Sequence, residues 1–149
     1  MQLCAMPSRA IWLISGSGLV PFLVCLALAY GVPHLRDGAV HTFIVYSALT
    51  LSFLGGARWG AELVRAPEAP RLARLVAAAG PSIVGLAALL PQTPARVAIG
   101  LLLVSGGAQL AWDVAGARGG LLPGWNGRLR TVMTILGTLC TLALWPVVG

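Results

Sequence analysis

The sequence predicts an all-α integral membrane protein, a bundle of five transmembrane helices. Of its 149 residues, 58% are hydrophobic and only 9% are charged, whereas soluble domains are roughly 45–50% apolar and about 25% charged. A chain this short cannot bury so much apolar surface in a water-soluble core. The bilayer is therefore the expected solvent, and about 20 apolar residues cross its hydrocarbon.

Five long apolar runs supply the predicted spans, and their length without alternation favours helices over strands. They form one membrane domain over residues 1–149, with spans at about 11–32, 39–63, 71–91, 95–116 and 128–148. The first run is longer than the apolar region of 7–15 residues in a signal peptide. We expect it to be retained as a span.

Prolines and glycines mark the connections and two expected kinks. The stretches "RAPEAP", "PQTP" and "GARGGLLPGWNG" separate spans two to five, and the last is expected to be irregular through Pro123, Gly124 and Asn126. Pro21 and Pro81 lie near the middles of spans one and three. Each removes a backbone hydrogen bond, so each is expected to kink its helix.

Arginine asymmetry predicts the orientation of the bundle. Seven of the ten arginines fall at the N-terminus and in the second and fourth connections, two fall on the opposite side, and one, Arg58, lies within a span. The positive-inside rule then places the N-terminus inside and the C-terminus outside. We expect a bacterial inner membrane, or the mitochondrial inner membrane in a eukaryote.

Several function classes find no support in the sequence. The net charge of +6 comes without lysine or a basic block, so no nucleic-acid partner is expected. The cysteines make no zinc or redox spacing, and the catalytic motifs of hydrolases, P-loop proteins and zinc proteases are absent. No enzyme activity and no cofactor are predicted.

A candidate polar cluster lies near the inner ends of spans two and four. Arg58 and Glu62 are four residues apart on span two, the spacing of a helical ion pair. Gln109 and Asp113 share a face of span four by the same spacing. Because the helix dipole disfavours carboxylates at C-terminal ends, Glu62 and Asp113 both need a cation, and Arg58 can serve both.

Trp59 and Trp112 are expected at the rim of this cluster, as interfacial anchors. Three roles for the cluster remain open. It could brace the helices, form an inner-leaflet vestibule for a headgroup or small molecule, or take part in proton transfer or catalysis. Ionisable groups within spans usually face the bundle interior or a water-filled pocket.

Small residues predict a helix-packing face, and two histidines suggest a weaker metal hypothesis. Ser52, Gly56 and Gly60 recur every fourth residue of span two, a pattern that allows close backbone approach in membranes. His34, Asp37 and His41 have a spacing that one helical face could gather around a metal. Pro33 and Gly38 make a continuous helix unexpected there, so no metal site is predicted.

The segment "YSALTLSFLGGARWG" (Tyr46–Gly60) resembles the characteristic motif of a family of small multi-span membrane proteins. This is domain-of-unknown-function family three-four-two-nine, which is found in bacteria and includes a mitochondrial transmembrane protein. Three further stretches occur along the chain in the order that such proteins show. They are "GLVPF" (Gly18–Phe22), "PS" (Pro81–Ser82) and "LPGWNGRLR" (Leu122–Arg130). The resemblance implies the membrane fold and brings no activity.

The sequence thus favours a non-catalytic accessory or assembly protein that packs against other membrane-protein subunits or against itself within the lipid bilayer. The alternative is a carrier or transporter for a lipid or small hydrophobe, with a polar vestibule around Arg58.

Overall fold

A computed structural model describes residues 9–64, 71–120 and 124–148, and these residues are almost entirely helical, with no strand among them. The all-α prediction is confirmed. The helices are α1 (Arg9–Ser17), α2 (Val20–Gly31), α3 (Arg36–Leu63), α4 (Arg71–Ala88), α5 (Ala95–Arg118) and α6 (Gly124–Leu144). Short 3-10 turns, Pro33–Leu35 and Trp145–Val147, precede α3 and follow α6.

Four helical stretches are long and apolar enough to cross a membrane. They are Arg9–Gly31, Pro33–Leu63, Ala95–Arg118 and Trp125–Val147, and α4 contributes a shorter apolar helix, Leu72–Ala88. Large apolar side chains also point away from the bundle, with Leu13, Phe53 and Val104 each more than 70% exposed. An apolar exterior of this kind suits lipid. The helices are consistent with a membrane bundle, and a fifth crossing by α4 stays a prediction.

The first span is broken where Pro21 predicts a kink. Since a proline ring clashes with the carbonyl four residues earlier, Pro21 opposes continuation past Ser17, the last residue of α1. Gly18 and Leu19 turn with short-range backbone bonds to Ser15 and Gly16. Pro81, by contrast, lies inside α4, and that helix continues on both sides of it.

Tyr46 secures the break from the neighbouring helix. Its hydroxyl donates a 2.8 Å hydrogen bond to the carbonyl oxygen of Gly18. Its ring also meets Phe22 edge-on, and Phe22 meets Phe43 in the same way, with ring centroids 4.9 Å apart in both pairs. Such aromatic pairs add to the stability gained from burial. A compact aromatic core therefore joins α2 to α3.

Some predicted helix boundaries are wrong. Helix α3 begins at Arg36 and runs unbroken through Gly38, because the 3-10 turn absorbs Pro33 before the helix starts. Helix α6 begins at Gly124, so Gly124 and Asn126 are helical rather than irregular. The "RAPEAP" stretch and Pro123 lie outside the described residues.

Helix α4 ends at Ala88, three residues earlier than predicted. The freed carbonyls of its last turn are satisfied locally, since the Thr93 hydroxyl donates a 2.8 Å hydrogen bond to the carbonyl of Ala87 and the Leu89 amide bonds to Leu86. Unsatisfied carbonyls at a helix end need such partners. Near the C-terminus, Pro146 disfavours the α-helical conformation of the preceding residue, Trp145. Helix α6 accordingly ends at Leu144.

Helix α3 is central, packing against α2, α4 and α5. Its closest approach to α4 depends on Gly55, where an added Cβ would lie 2.7 Å from the carbonyl oxygen of Ala78. From the other side, a Cβ at Gly85 would lie 3.2 Å from the Ala48 carbonyl and 3.5 Å from Ser52 Oγ. Absent side chains therefore let the two backbones touch.

The predicted packing face is only partly used within the chain. Ser52 lies at the α4 contact, but Gly56 and Gly60 are exposed and have no atom of the described chain within 4 Å of an added Cβ. Contact with α4 follows Ala48, Ser52 and Gly55 instead, a stripe that shares Ser52 with the expected one and has Gly55 in place of Gly56. Gly56 and Gly60 form a strip of bare backbone on the outside of α3, which we call the Gly56–Gly60 strip.

Candidate functional site

Arg58 and Glu62 form a buried ion pair on α3. The Arg58 Nη2 atom lies 2.9 Å from Glu62 Oε1. Arg58 is 3% exposed and Glu62 is 1% exposed, so neither carries the exposure expected of a side chain extending to the headgroups. Two charges removed this completely from solvent must be paired to be tolerated. The pair is part of the bundle interior.

Helix α5 brings Asp113 and Gln109 to the same place. Arg58 Nη1 lies 3.9 Å from Asp113 Oδ1, and the Gln109 amide Nε2 donates a 3.3 Å hydrogen bond to that oxygen. Gln109 and Asp113 are each 3% exposed. The structure therefore gathers Arg58, Glu62, Gln109 and Asp113 into one site between α3 and α5.

Two further arginines extend the site to α4 and α6. Arg74 Nη1 lies 3.7 Å from Glu62 Oε2, and Arg130 Nε lies 3.6 Å from Asp113 Oδ2. Sequence reasoning treated both arginines only as signals of orientation. We refer to Arg58, Glu62, Arg74, Gln109, Asp113 and Arg130 as the Arg58 cluster, which among the described residues brings three guanidinium groups to two carboxylates.

The two tryptophans expected at the rim differ in role. Arg58 Cζ lies 4.6 Å from the centroid of the Trp112 ring, a cation–π contact that favours a desolvated guanidinium. Trp59 is 40% exposed and points away from the bundle. Trp112 is therefore a direct contact of the cluster, whereas Trp59 lies on the surface of α3 beside it.

Gly116 is a part of the site that sequence reasoning missed. An added Cβ at Gly116 would overlap Arg58 Nη1 and lie 3.1 Å from Arg58 Cζ. Gly116 follows Asp113 by three residues, so both lie on one face of α5. That spacing was visible in the sequence, but only the structure shows that the guanidinium occupies the space above Gly116.

The arginines in the cluster have more donors than the described residues satisfy. Arg58 Nε and Nη1 and Arg74 Nη1 are buried without a hydrogen-bond acceptor of adequate geometry in the described chain. Arg58 Nη1 lies 3.9 Å from Asp113 Oδ1 and Arg74 Nη1 lies 3.7 Å from Glu62 Oε2, so these two contacts act through charge. A buried donor without an acceptor is costly, and the described residues of the cluster comprise three guanidinium groups and two carboxylates. The site is cation-rich.

The metal candidates lie at the opposite end of α3. His34 belongs to the 3-10 turn, while Asp37 and His41 share the first turns of α3, and all three are exposed. The expectation that Gly38 interrupts the helix is wrong, yet the continuous helix gathers no ligand set. Within the described ranges no three His, Cys, Asp or Glu residues come together to hold a metal ion.

Comparison with known proteins gives a family without an assigned activity. The chain is 28% identical to Transmembrane protein 69 of Xenopus tropicalis over 94% of its own length and 57% of the relative, so it spans a little over half of that protein. No solved structure matches it significantly. The family described as "Protein of unknown function (DUF3429)" matches residues 7–146. The chain therefore belongs to the DUF3429 family, as the motif in its second span suggested.

Proposed function

We propose that this protein is a non-catalytic accessory or assembly protein that packs against a partner subunit in a larger membrane complex. The observation that carries the proposal is the Gly56–Gly60 strip. Both glycines are exposed on α3 with open space above them. Small residues let two helices approach closely in membranes. A second helix that packs on these glycines would therefore gain van der Waals contacts with the backbone of α3.

The Arg58 cluster supports this view because its central charges, Arg58, Glu62 and Asp113, are buried. Its ion pairs connect α3 with α4 and α5, and Arg130 extends them to α6. Arg58, Glu62 and Asp113 are each at most 3% exposed. A carrier with an open vestibule around Arg58 would expose these groups to water, so we favour cross-bracing of the helices as the role of the cluster.

We further propose a bacterial inner membrane, or its mitochondrial counterpart, with the N-terminus inside. The arginine distribution along the sequence supports this orientation. Arg74, Arg118 and Arg130 then lie at the inner ends of their helices, and the His34 turn lies outside.

Site-specific photo-cross-linking in the source membrane tests the accessory role. A photoreactive amino acid replaces Gly60 in one variant and Ile83, an exposed residue of α4, in the control. We expect a discrete adduct with a different membrane protein from position 60 and none from position 83. Lipid adducts alone at position 60, or an adduct only with a second copy of the chain, would refute the proposal.

A further inference from the structure

A groove between α4 and α5 opens on a different face of the bundle from the Gly56–Gly60 strip. Its volume is about 560 Å³. The middle of the groove is apolar and is lined by Gly80, Pro81, Val84, Gly100, Leu101 and Val104. Added Cβ atoms at Gly80 and Gly100 would meet no atom of the described chain within 4 Å, so the missing side chains leave this space open.

The groove is long and polar at one end only. Along α5 its lining runs from Val97 to Trp112, about 22 Å at 1.5 Å per residue, compared with a hydrocarbon core about 30 Å thick. Ser105, Gln109 and Trp112 supply the polar groups, all toward the inner end. An occupant that matched this lining would have an apolar chain and a single polar head.

The polar end adjoins the cation-rich Arg58 cluster. Trp112 stacks on Arg58, and Gln109, itself a member of the cluster, donates a hydrogen bond to Asp113. Arg74 precedes the lining residue Ala77 by three positions, which places it on the same face of α4 one turn closer to the inner end. Its side chain as a whole is 33% exposed, while the Nη1 atom is buried and lacks an acceptor among the described residues.

We propose that this groove binds a single-chain anionic amphiphile, with its hydrocarbon chain between α4 and α5 and its carboxylate or phosphate head at Arg74. A negatively charged head at Arg74 would supply an acceptor to a guanidinium whose Nη1 has none among the described residues. Charge-assisted hydrogen bonds from Arg74, with the nearby Trp112 indole, then fix the head. This site is independent of the accessory role proposed above, because it uses neither Gly56 nor Gly60.

The test uses the full chain, purified and reconstituted in phosphatidylcholine vesicles, with a photoactivatable oleate as the probe. Cross-links located by peptide mass spectrometry are expected on α4 and α5. Gly100→Leu fills the groove and should reduce labelling about tenfold. The matched control is Gly107→Leu on the same helix, where the space is also open but does not line the groove, and it should label like the wild type.

Substitution of Arg74 tests whether the bound amphiphile has an anionic head group. Arg74→Gln should weaken oleate binding about tenfold, since a hydrogen bond to a charged group contributes about 1.5–3 kcal/mol and each 1.4 kcal/mol is tenfold. The control Arg118→Gln removes an exposed arginine from α5 and should have no effect. Unlabelled oleate should displace the probe, whereas oleyl alcohol of the same chain length should not.

Several results would overturn the proposal. Equal labelling of the Gly100→Leu and Gly107→Leu variants would exclude the groove. Equal competition by oleyl alcohol would exclude an anionic head, and displacement by inorganic phosphate would assign the anion site to a free ion instead. If a chemical cross-linker, added without the oleate probe, joined two chains through α4 and α5, a second copy of the chain would cover the groove.

Discussion

Gly116 of α5 provides the space that the guanidinium of Arg58 on α3 occupies. An added Cβ at Gly116 would overlap Arg58 Nη1, so a larger residue at this position requires the guanidinium to move. The charged centre of the bundle thus depends on a missing side chain on the neighbouring helix. The absence of a side chain at Gly116 therefore allows both the burial of Arg58 and the close packing of α3 against α5.

Gly116→Ala should therefore destabilise the protein. Overpacking in a tight interior costs about 1–3 kcal/mol, and displacement of Arg58 would also disturb its pairs with Glu62 and Asp113. Thermal unfolding in detergent is the measurement. Gly107→Ala on the same helix, with open space above it, should be neutral or slightly stabilising, because alanine is a better helix former than glycine. Equal melting temperatures for the two variants would contradict the close contact.

Removal of the Glu62 charge should be more damaging than removal of an exposed charge. Glu62→Gln leaves Arg58 and Arg74 without their shared carboxylate, and loss of one partner from a buried pair costs about 3–5 kcal/mol. Asp37→Asn, at an exposed position of the same helix, is the control and should change little.

A double-mutant cycle on the same pair separates charge from packing. Arg58→Leu combined with Glu62→Leu should be less destabilising than the sum of the two single changes, because each single variant removes a close ion-pair partner from a charge that stays buried. The free energy of unfolding of all four proteins gives the coupling. Strict additivity would show that the two side chains do not interact in the folded protein.

Substitution by alanine should reduce stability at Gly55 of α3 but not at the neighbouring Gly56. Gly55→Ala places a methyl group 2.7 Å from the carbonyl oxygen of Ala78, closer than Cβ atoms tolerate, and should lower stability by about 1–3 kcal/mol. Gly56→Ala meets open space and should leave the folded chain intact. Equal loss of stability in both variants would show that α4 contacts a different face of α3.

The orientation is tested by cysteine accessibility. With the native cysteines replaced by serine, His34→Cys should react with a membrane-impermeant thiol reagent added outside intact cells or spheroplasts, and Arg118→Cys only after lysis. The reason is the arginine excess on the N-terminal side. The opposite labelling pattern would invert the proposed orientation.

Local sequence patterns predicted the parts of the fold that short-range chemistry decides. Pro21 foretold the break after Ser17, because a proline acts on the carbonyl four residues back. Arg58 and Glu62 are an i, i+4 pair on one helix, and the dipole argument supplied Asp113 as a third member. In each case the interacting groups lie a few residues apart on one helix, or a carboxylate at a helix C-terminus requires a positively charged partner.

Relationships between helices were harder to obtain. The spacing of Ser52, Gly56 and Gly60 marks a face that can pack closely, but it does not say which neighbour packs there, and α4 instead contacts Gly55. Arg74 and Arg130 looked like interfacial charges because their carboxylate partners lie on other helices. Rotation of each helix about its axis decides these contacts, and no local pattern specifies it.

Native mass spectrometry after gentle extraction from the source membrane tests the proposed function most directly. We expect the wild-type chain and the Gly107→Leu variant to appear in a complex with a different membrane protein. The Gly56→Leu/Gly60→Leu double variant, in which both new side chains enter open space, should appear alone. A wild-type chain found only alone or only as a homo-oligomer, or a double variant that retains the partner, would contradict the accessory role.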